Sequence, residues 1–199
     1  MNTAGLLHKR FNAKSEQVSP VRLRGFLRND LASLFAELGF TRGAEIGVKD
    51  GAFSLHLCQT IPDLQLICVD PWKEYAADPR SEAQEKQERL FSQACEKLKP
   101  YSVSIHRMAS MAWIHAGCDV FGILDFIFID ANHTFDFVMQ DIIEWSKLVR
   151  PGGLVSGHDY YRTRWSGVVD AVDAYTNAHQ IHEWFLTGNR EPSFFWAKP

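Results

Sequence analysis

The sequence predicts an α/β fold, with a doubly wound, mostly parallel seven-stranded sheet that ends in a C-terminal antiparallel hairpin. Three observations carry this expectation. Short apolar runs alternate with amphipathic segments along the chain, the pattern of strands buried on both faces beneath helices. The last two apolar runs, "IHEWFLTG" and "SFFWAKP", are separated only by a short "NREP" turn, so they pair as a hairpin. A chain of 199 residues that is 46% apolar is also large enough to bury one core without disulfides or metals.

Each element has its own signal. Residues 1–20 are polar and mixed and read as a flexible N-terminal segment ahead of a single domain over 21–199. Val21, Leu23, Leu27, Leu31, Leu34, Phe35 and Leu38 follow helical spacing, which predicts a helix over 21–38 that stops at Gly39. "AEIGV" (44–48) is the first predicted strand, and "AFSLHLCQT" after it a short helix. "LQLICVD" (64–70) is the second strand. Ser81 with Gln84 forms a candidate capping box for a helix to about Lys97, with Leu90, Ala94 and Leu98 on one face. "SVSIHRM" (102–108) and "LDFIFID" (124–130) are the third and fourth strands. Phe135, Val138, Ile142, Trp145 and Val149 trace an amphipathic helix stopped by "RPGG". "GLVSGHD" (153–159) is the fifth strand, and Val168, Val172 and Tyr175 mark one more helix.

Composition narrows the function classes. A net charge of −3 argues against a protein built to grip nucleic acid or an anionic membrane. The four cysteines (Cys58, Cys68, Cys95, Cys118) form no C-x-x-C pair and read as reduced thiols. The first residues lack the apolar core of a signal peptide, and no apolar run is long enough to span a bilayer, so a cytoplasmic protein is expected.

In open sheets of this kind, ligands sit outside the carboxyl ends of the strands. Four predicted strands end on residues that carry chemistry: Gly47, Asp70, Asp130 and the pair His158-Asp159. "EIGVKDG" (45–51) follows the first strand, and its Gly47 and Gly51 allow a tight turn and a close approach of backbone to ligand. The dinucleotide fingerprint G-x-G-x-x-G would need glycine at positions that hold Lys49 and Ala52, which disfavours hydride transfer. No P-loop motif is present.

Together, E-x-G-x-x-x-G after the first strand, the acid in "VDPW" after the second, and the terminal hairpin resemble the class I S-adenosylmethionine-dependent methyltransferases, with their Rossmann-like fold. The resemblance covers about residues 40–199, and departs from the family's glycine pattern at Lys49. It implies that Glu45, Gly47 and Gly51 form the cofactor turn, with Glu45 and Gly47 at the methionine end. It also implies that Asp70 accepts hydrogen bonds from the ribose hydroxyls, and that "RMAS" (Met108, Ala109, Ser110) lies where the family reads adenine. Trp72 either lies against the adenine or caps the core.

"FIFIDANHTF" (126–135) and "LVRPGGLVSGHDYY" (148–161) are similar to a smaller subgroup, the sugar and catechol-type O-methyltransferases. In several of those, strand-end acids hold a divalent metal that holds the acceptor. By position the metal ligands would be Asp130, His158 and Asp159, for Mg, Mn or a similar ion. Magnesium prefers oxygen ligands, so a set containing imidazole better suits manganese, iron or zinc. The alternative is a metal-free site with His133 or His158 as general base, beside Asp130. Tyr160, Tyr161, Arg162 and Trp165 are candidate linings of an acceptor pocket, and residues 73–89 read as a solvated loop and helix face. The remaining histidines fit no ligand spacing. The expected partner is a small-molecule acceptor, methylated on a hydroxyl or on another atom. The predicted N-terminal helix is a candidate lid or homodimer contact, and a non-catalytic cofactor-binding sensor of the same fold remains the reading from a different class.

Overall fold

The structure, a computed structural model, describes residues 3–12, 19–74, 83–116, 123–164 and 166–199. In chain order the elements begin with α1 (Thr3–Phe11), β1 (Val21–Leu23), α2 (Asp30–Glu37), β2 (Arg42–Ile46), α3 (Ala52–Thr60), β3 (Gln65–Asp70) and α4 (Gln84–Leu98). They continue with β4 (Val103–Arg107), α5 (Ser110–His115), β5 (Leu124–Ile129), α6 (Phe135–Leu148), β6 (Val149–Gly157), α7 (Val168–Ala178), β7 (Phe185–Thr187) and β8 (Phe194–Ala197). The strands form one sheet in the order β1-β7-β8-β6-β5-β2-β3-β4. All neighbours pair in parallel except β6 with β8 and β7 with β8. The doubly wound parallel sheet and its closing antiparallel unit are therefore as expected.

The strand count is not. The sheet has eight strands among the described residues rather than seven, because Val21–Leu23 is a strand and not the start of a helix. Its side chains alternate buried, exposed, buried, and Val21 N donates to Trp184 O, so the segment completes the free edge of β7. The helix expected over 21–38 is accordingly only α2, which buries Leu31, Leu34 and Phe35 in the protein's own core. Leu27, an apolar position in the helical spacing, is 47% exposed. Two periods were superimposed here, and Gly25 with the Asn29-Asp30 pair marks the break between them. Residues 3–11, within the segment expected to be loose, form α1. Its Leu7 is buried, Phe11 packs on Phe26 and Phe185, and Thr3 Oγ1 donates to Gly152 O at 2.5 Å. The fifth predicted strand begins earlier than Gly153: α6 stops at Leu148 and β6 starts at once, with the register against β5 shifting between Leu124 and Phe126. Ser81, Cys118 and Trp165 lie outside the described residues.

Each strand of the sheet centre serves two layers. Phe126 and Phe128 of β5 face α2 and α3, and Phe126 stacks on Phe35 at 4.2 Å between centroids. Ile127 and Ile129 face the other way, into a layer built from α5, α6 and α7 around the stacked pair Trp113–Trp145. Burial on both faces is why this strand reads as an unbroken apolar run. Below it, Asp125 is the one acid of β5 and ties the amino end of the sheet together. Its carboxylate accepts from Thr41 N (2.8 Å), Arg42 N (2.9 Å) and Arg150 Nε (2.7 Å). No described helix is long and apolar enough to cross a membrane.

Candidate active site

The strand order reverses direction between β2 and β5, so their carboxyl ends flank the switch point where ligands of open α/β sheets bind. The two ends are in direct contact. Asp130 N donates to Ile46 O at 2.7 Å, and Gly47 N donates to Val69 O on the other side at 2.9 Å. Gly47 has φ +89°, and a Cβ there would stand 2.1 Å from the Asp130 carbonyl oxygen, so only glycine fits.

The turn that follows keeps the form of a glycine-rich loop with one glycine missing. Lys49, in the middle position, takes φ +56°, and Gly51, φ +76°, caps α3. A left-handed lysine costs about 1–2 kcal/mol, and the structure shows what offsets it. Asp70 Oδ2 accepts from Val48 N (2.8 Å) and Lys49 N (3.0 Å), and Lys49 O accepts from the Trp72 indole at 2.7 Å. Asp70 Oδ1 also accepts from Trp72 N at 2.7 Å. Asp70 thus builds the turn with three of its roughly four lone-pair sites, and Oδ1 keeps one for a further donor. Trp72 lies in the core. Its side chain is buried, packs on Phe91 at 4.9 Å and braces the turn from below. Asp50 in the same turn is tied to Lys97 of α4 at 2.5 Å.

Glu45 sits one layer deeper, fully buried in β2, and accepts a short hydrogen bond from Ser54 of α3. Burial, opposed by Ser54 and by the Arg28 guanidinium, pushes its carboxyl up to about 8, so it is neutral at pH 7. At the end of β4, Met108 and Ala109 are exposed. Ser110 opens α5 and donates to Asp141 of α6 at 2.5 Å. Asp141 is buried, which pushes its carboxyl up to about 6 despite the Ser110 hydroxyl.

Beyond β5 and β6 lies the chemical cluster. Asp159 has φ +59°, an uncommon conformation that aspartate tolerates better than most residues, and its carboxylate lies between two imidazoles. His158 Nδ1 is 2.8 Å from Asp159 Oδ1, and His133 Nε2 is 3.0 Å from Asp159 Oδ2. Asp130 Oδ1 is 3.7 Å from His133 Nε2 and 3.8 Å from His158 Nδ1. Burial pulls the His133 imidazole down, but the carboxylates of Asp130 and Asp159 outweigh it and raise it to about 9. Burial raises Asp159, yet the two histidines outweigh it and hold its carboxyl well below the usual range. Asn132 Oδ1 accepts from Thr134 N at 2.8 Å, a local turn that leads the chain from Asp130 into α6.

Asp130, His133 and Asp159 can each offer one ligand atom, all within 4.8 Å of one another. This set differs from the expected one by containing His133 in place of His158, whose Nδ1 is turned onto Asp159. The donor chemistry fits a divalent cation: two carboxylates, one imidazole, and a nearby imidazole orienting one of the acids. His133 Nε2 is sealed from water, and its only near polar partners among the described residues are the carboxylates of Asp159 at 3.0 Å and Asp130 at 3.7 Å. An imidazole nitrogen so disposed is what a bound cation would satisfy.

One participant was missed by the sequence reading. Arg28, from the loop between β1 and α2, reaches the cluster, and its Nη2 donates to Asp130 Oδ2 at 3.1 Å. Its only sequence signal is the break around Gly25 and Asn29-Asp30, which shows that the segment is a loop. The candidate acceptor residues divide otherwise. Tyr160 turns away, with its hydroxyl on Asp173 at 2.7 Å and its ring on Trp184, while Arg162 pairs with Asp170 at the surface. A separate groove of about 530 Å³ runs between α4 and the edge strand β4, lined by Phe91, Cys95, Tyr101 and Ile105 among others, and holds none of the candidate site residues.

Comparison with known proteins agrees with this architecture. Among solved structures, a protein from Klebsiella pneumoniae provisionally assigned as an O-methyltransferase superposes with a TM-score of 0.62 at 16% identity, over 99% of this chain and 88% of its own. The O-methyltransferase TomG from Streptomyces achromogenes, involved in tomaymycin synthesis and solved with SAM, gives 0.61 at 19% identity, over 98% and 88%. An O-methyltransferase from Bacillus cereus in complex with SAH gives 0.60 at 17% identity, over 96% and 86%. At these identities the likeness is one of fold. No curated protein matches the sequence. The model of the methyltransferase domain family matches residues 44–160, more than half of the chain and every residue from the Glu45 turn to the His158-Asp159 pair. The chain belongs to the methyltransferase domain family.

Proposed function

We propose that this protein transfers the methyl group of S-adenosylmethionine to a hydroxyl of a small molecule, using residues 21–199 as a single methyltransferase domain. The observation that supports this most is the meeting of two strand ends at the switch point. The Gly47 turn closes against the Asp130 carbonyl, and the Asp130–His133–Asp159 cluster stands directly beside it. The solved neighbours from S. achromogenes and B. cereus are O-methyltransferases in complex with SAM and SAH, and the reading carries that cofactor and acceptor atom to this chain.

In this reading Gly47 and Gly51 receive the methionine end with Glu45 buried beneath them, the remaining lone pair on Asp70 Oδ1 receives a ribose hydroxyl, and Met108, Ala109 and Ser110 border the adenine. Trp72 acts from below, by holding the turn. Transfer is an in-line displacement: the acceptor oxygen bonds to the methyl carbon as the carbon–sulfur bond breaks, and the hydroxyl proton leaves for a base. His133 is the candidate base, with Nε2 facing both Asp130 and Asp159. At neutral pH its imidazole already carries a proton, because two carboxylates stabilise the charged form. It can take the hydroxyl proton only once its own has gone, above about pH 9, and with a cation on Nε2 it would serve as a ligand instead, the hydroxyl proton then leaving to solvent. A divalent ion held by Asp130, His133 and Asp159 would lower the acceptor hydroxyl's pKa and orient its oxygen. His158 keeps Asp159 in place for either course.

Two measurements test the proposal. Calorimetric titration with S-adenosylhomocysteine is expected to show binding, and no binding would overturn the cofactor assignment. Mass-spectrometric screening of phenols, catechols and hydroxylated sugars should then find a methylated product that Asp130→Ala and His133→Ala each abolish. Binding without any product across the screen would favour a sensor over an enzyme.

A further inference from the structure

Arg28 lies outside the segment matched by the family model, yet its side chain ends at the switch point. The loop that carries it is pinned on both flanks. Arg28 N donates to Asn189 Oδ1 at 2.7 Å, and Gly188 N donates to Phe26 O at 2.7 Å, which ties the loop to the β7–β8 turn. The approach there is backbone to backbone, since a Cβ on Gly188 would stand 2.4 Å from Arg24 O. On the other flank, His56 Nε2 of α3 is 3.1 Å from Asn29 O. Leu27 N donates to Asp30 Oδ2 at 2.6 Å, closing the loop onto α2.

The guanidinium is equally constrained. Its central carbon lies 4.5 Å over the Phe53 ring and 5.2 Å from that of Phe128, contacts that fix its plane. One donor, Nη2, reaches Asp130 Oδ2. Nε is buried and has no hydrogen-bond partner among the described residues. A sealed, unpaired guanidinium donor is costly and rarely left so, and here it belongs to a planar fork whose geometry suits a carboxylate held through two nitrogens. The acids already nearby do not supply that partner. Asp130 is engaged through Nη2 alone, and Glu45 has its hydrogen bond from Ser54. The guanidinium therefore presents unused donors between the ends of β2 and β5, beside the turn to which the proposed function assigns the methionine half of the cofactor.

We propose that Arg28 binds the α-carboxylate of S-adenosylmethionine and S-adenosylhomocysteine. The inference rests on the cofactor assignment made above and adds to it a residue from the N-terminal loop. It explains why an edge strand and a pinned loop precede the matched domain: they hold one cation over the first βα turn. A carboxylate on the methyl acceptor is the other source of the same chemistry, and the test separates the two.

The test is calorimetric and does not depend on turnover. S-adenosylhomocysteine is compared with 5′-methylthioadenosine, which keeps the adenine, ribose and thioether and lacks the amino acid group. Arg28→Gln is expected to weaken S-adenosylhomocysteine about 10- to 100-fold, the scale of lost charge-assisted hydrogen bonds, and to leave methylthioadenosine unchanged. Arg28→Lys, which keeps the charge and loses the fork, should fall between. Unchanged methylthioadenosine affinity also certifies that the variant is folded. Equal weakening of both ligands, or unchanged S-adenosylhomocysteine affinity in Arg28→Gln, overturns the inference, and the second result returns the guanidinium to the acceptor. If the parent protein binds neither ligand, the cofactor assignment falls and the inference falls with it.

Discussion

Glu45→Gln tests whether the acid of the first strand is neutral in the folded protein. The carboxyl is buried and pushed up to about 8 from the 4.5 usual for glutamate. A folded-state pKa above the unfolded one means that the native state holds the extra proton between those values. The stability this contributes is present below pH 4.5 and is lost as pH rises toward 8. At about 1.4 kcal/mol per unit the total is roughly 5 kcal/mol, a large share of the 5–15 kcal/mol typical of a domain. Glutamine has the same shape, accepts from Ser54 through its amide oxygen and does not titrate. Other groups titrate in both proteins, so the informative quantity is the difference in melting temperature between variant and parent. For a chain of this size, that difference should climb in favour of Glu45→Gln by about 3–6 °C per pH unit between pH 5 and 8. Differential scanning calorimetry at four pH values is sufficient. A difference that stays constant across this range would refute the argument, and would mean that Glu45 is ionised and paired with Arg28.

Manganese or zinc titrated into the protein should displace the proton from His133, so affinity is expected to rise about tenfold per pH unit until about pH 9. Asp159→Ala should abolish that binding, and calorimetry in two buffers that shows no proton release would contradict it. Gly47→Ala combines a left-handed backbone with a Cβ 2.1 Å from Asp130 O. It is expected to cost at least about 2 kcal/mol in urea melts, and a variant within the experimental error of the parent would show that the two strand ends can part. Asp125→Ala strands two backbone donors and the Arg150 guanidinium. The expected loss is about 2–3 kcal/mol, with S-adenosylhomocysteine affinity unchanged because Asp125 opens β5 and Asp130 follows its far end.

Much of the site was legible because it depends on short-range rules. An apolar run buried on both faces must surface at its end, and polar residues placed there face the ligand edge of a parallel sheet. Gly47, Asp70, Asp130 and the His158-Asp159 pair could each be found this way, and so could the order of strands and helices around them. The Lys49 departure was legible as well, although its tolerance was not. Asp70 and the Trp72 indole hold that residue at φ +56° through bonds spanning 21 and 23 positions.

Tertiary structure decided the rest. Val21–Leu23 satisfied a helical and a strand spacing at once, and only the open edge of β7 selected the strand. Which imidazole joins Asp130 and Asp159 could not be read from spacing, because it depends on Asp159 at φ +59° setting its carboxylate between His133 and His158. Arg28 reaches Asp130 across 102 positions, carried by a loop pinned to the β7–β8 turn. The amino-acid sequence determined the layered sheet and the chemistry at its strand ends, since burial and backbone pairing act on each segment by itself. Which groups meet above those ends was decided by the fold, because that meeting depends on loops whose positions are fixed only by distant partners.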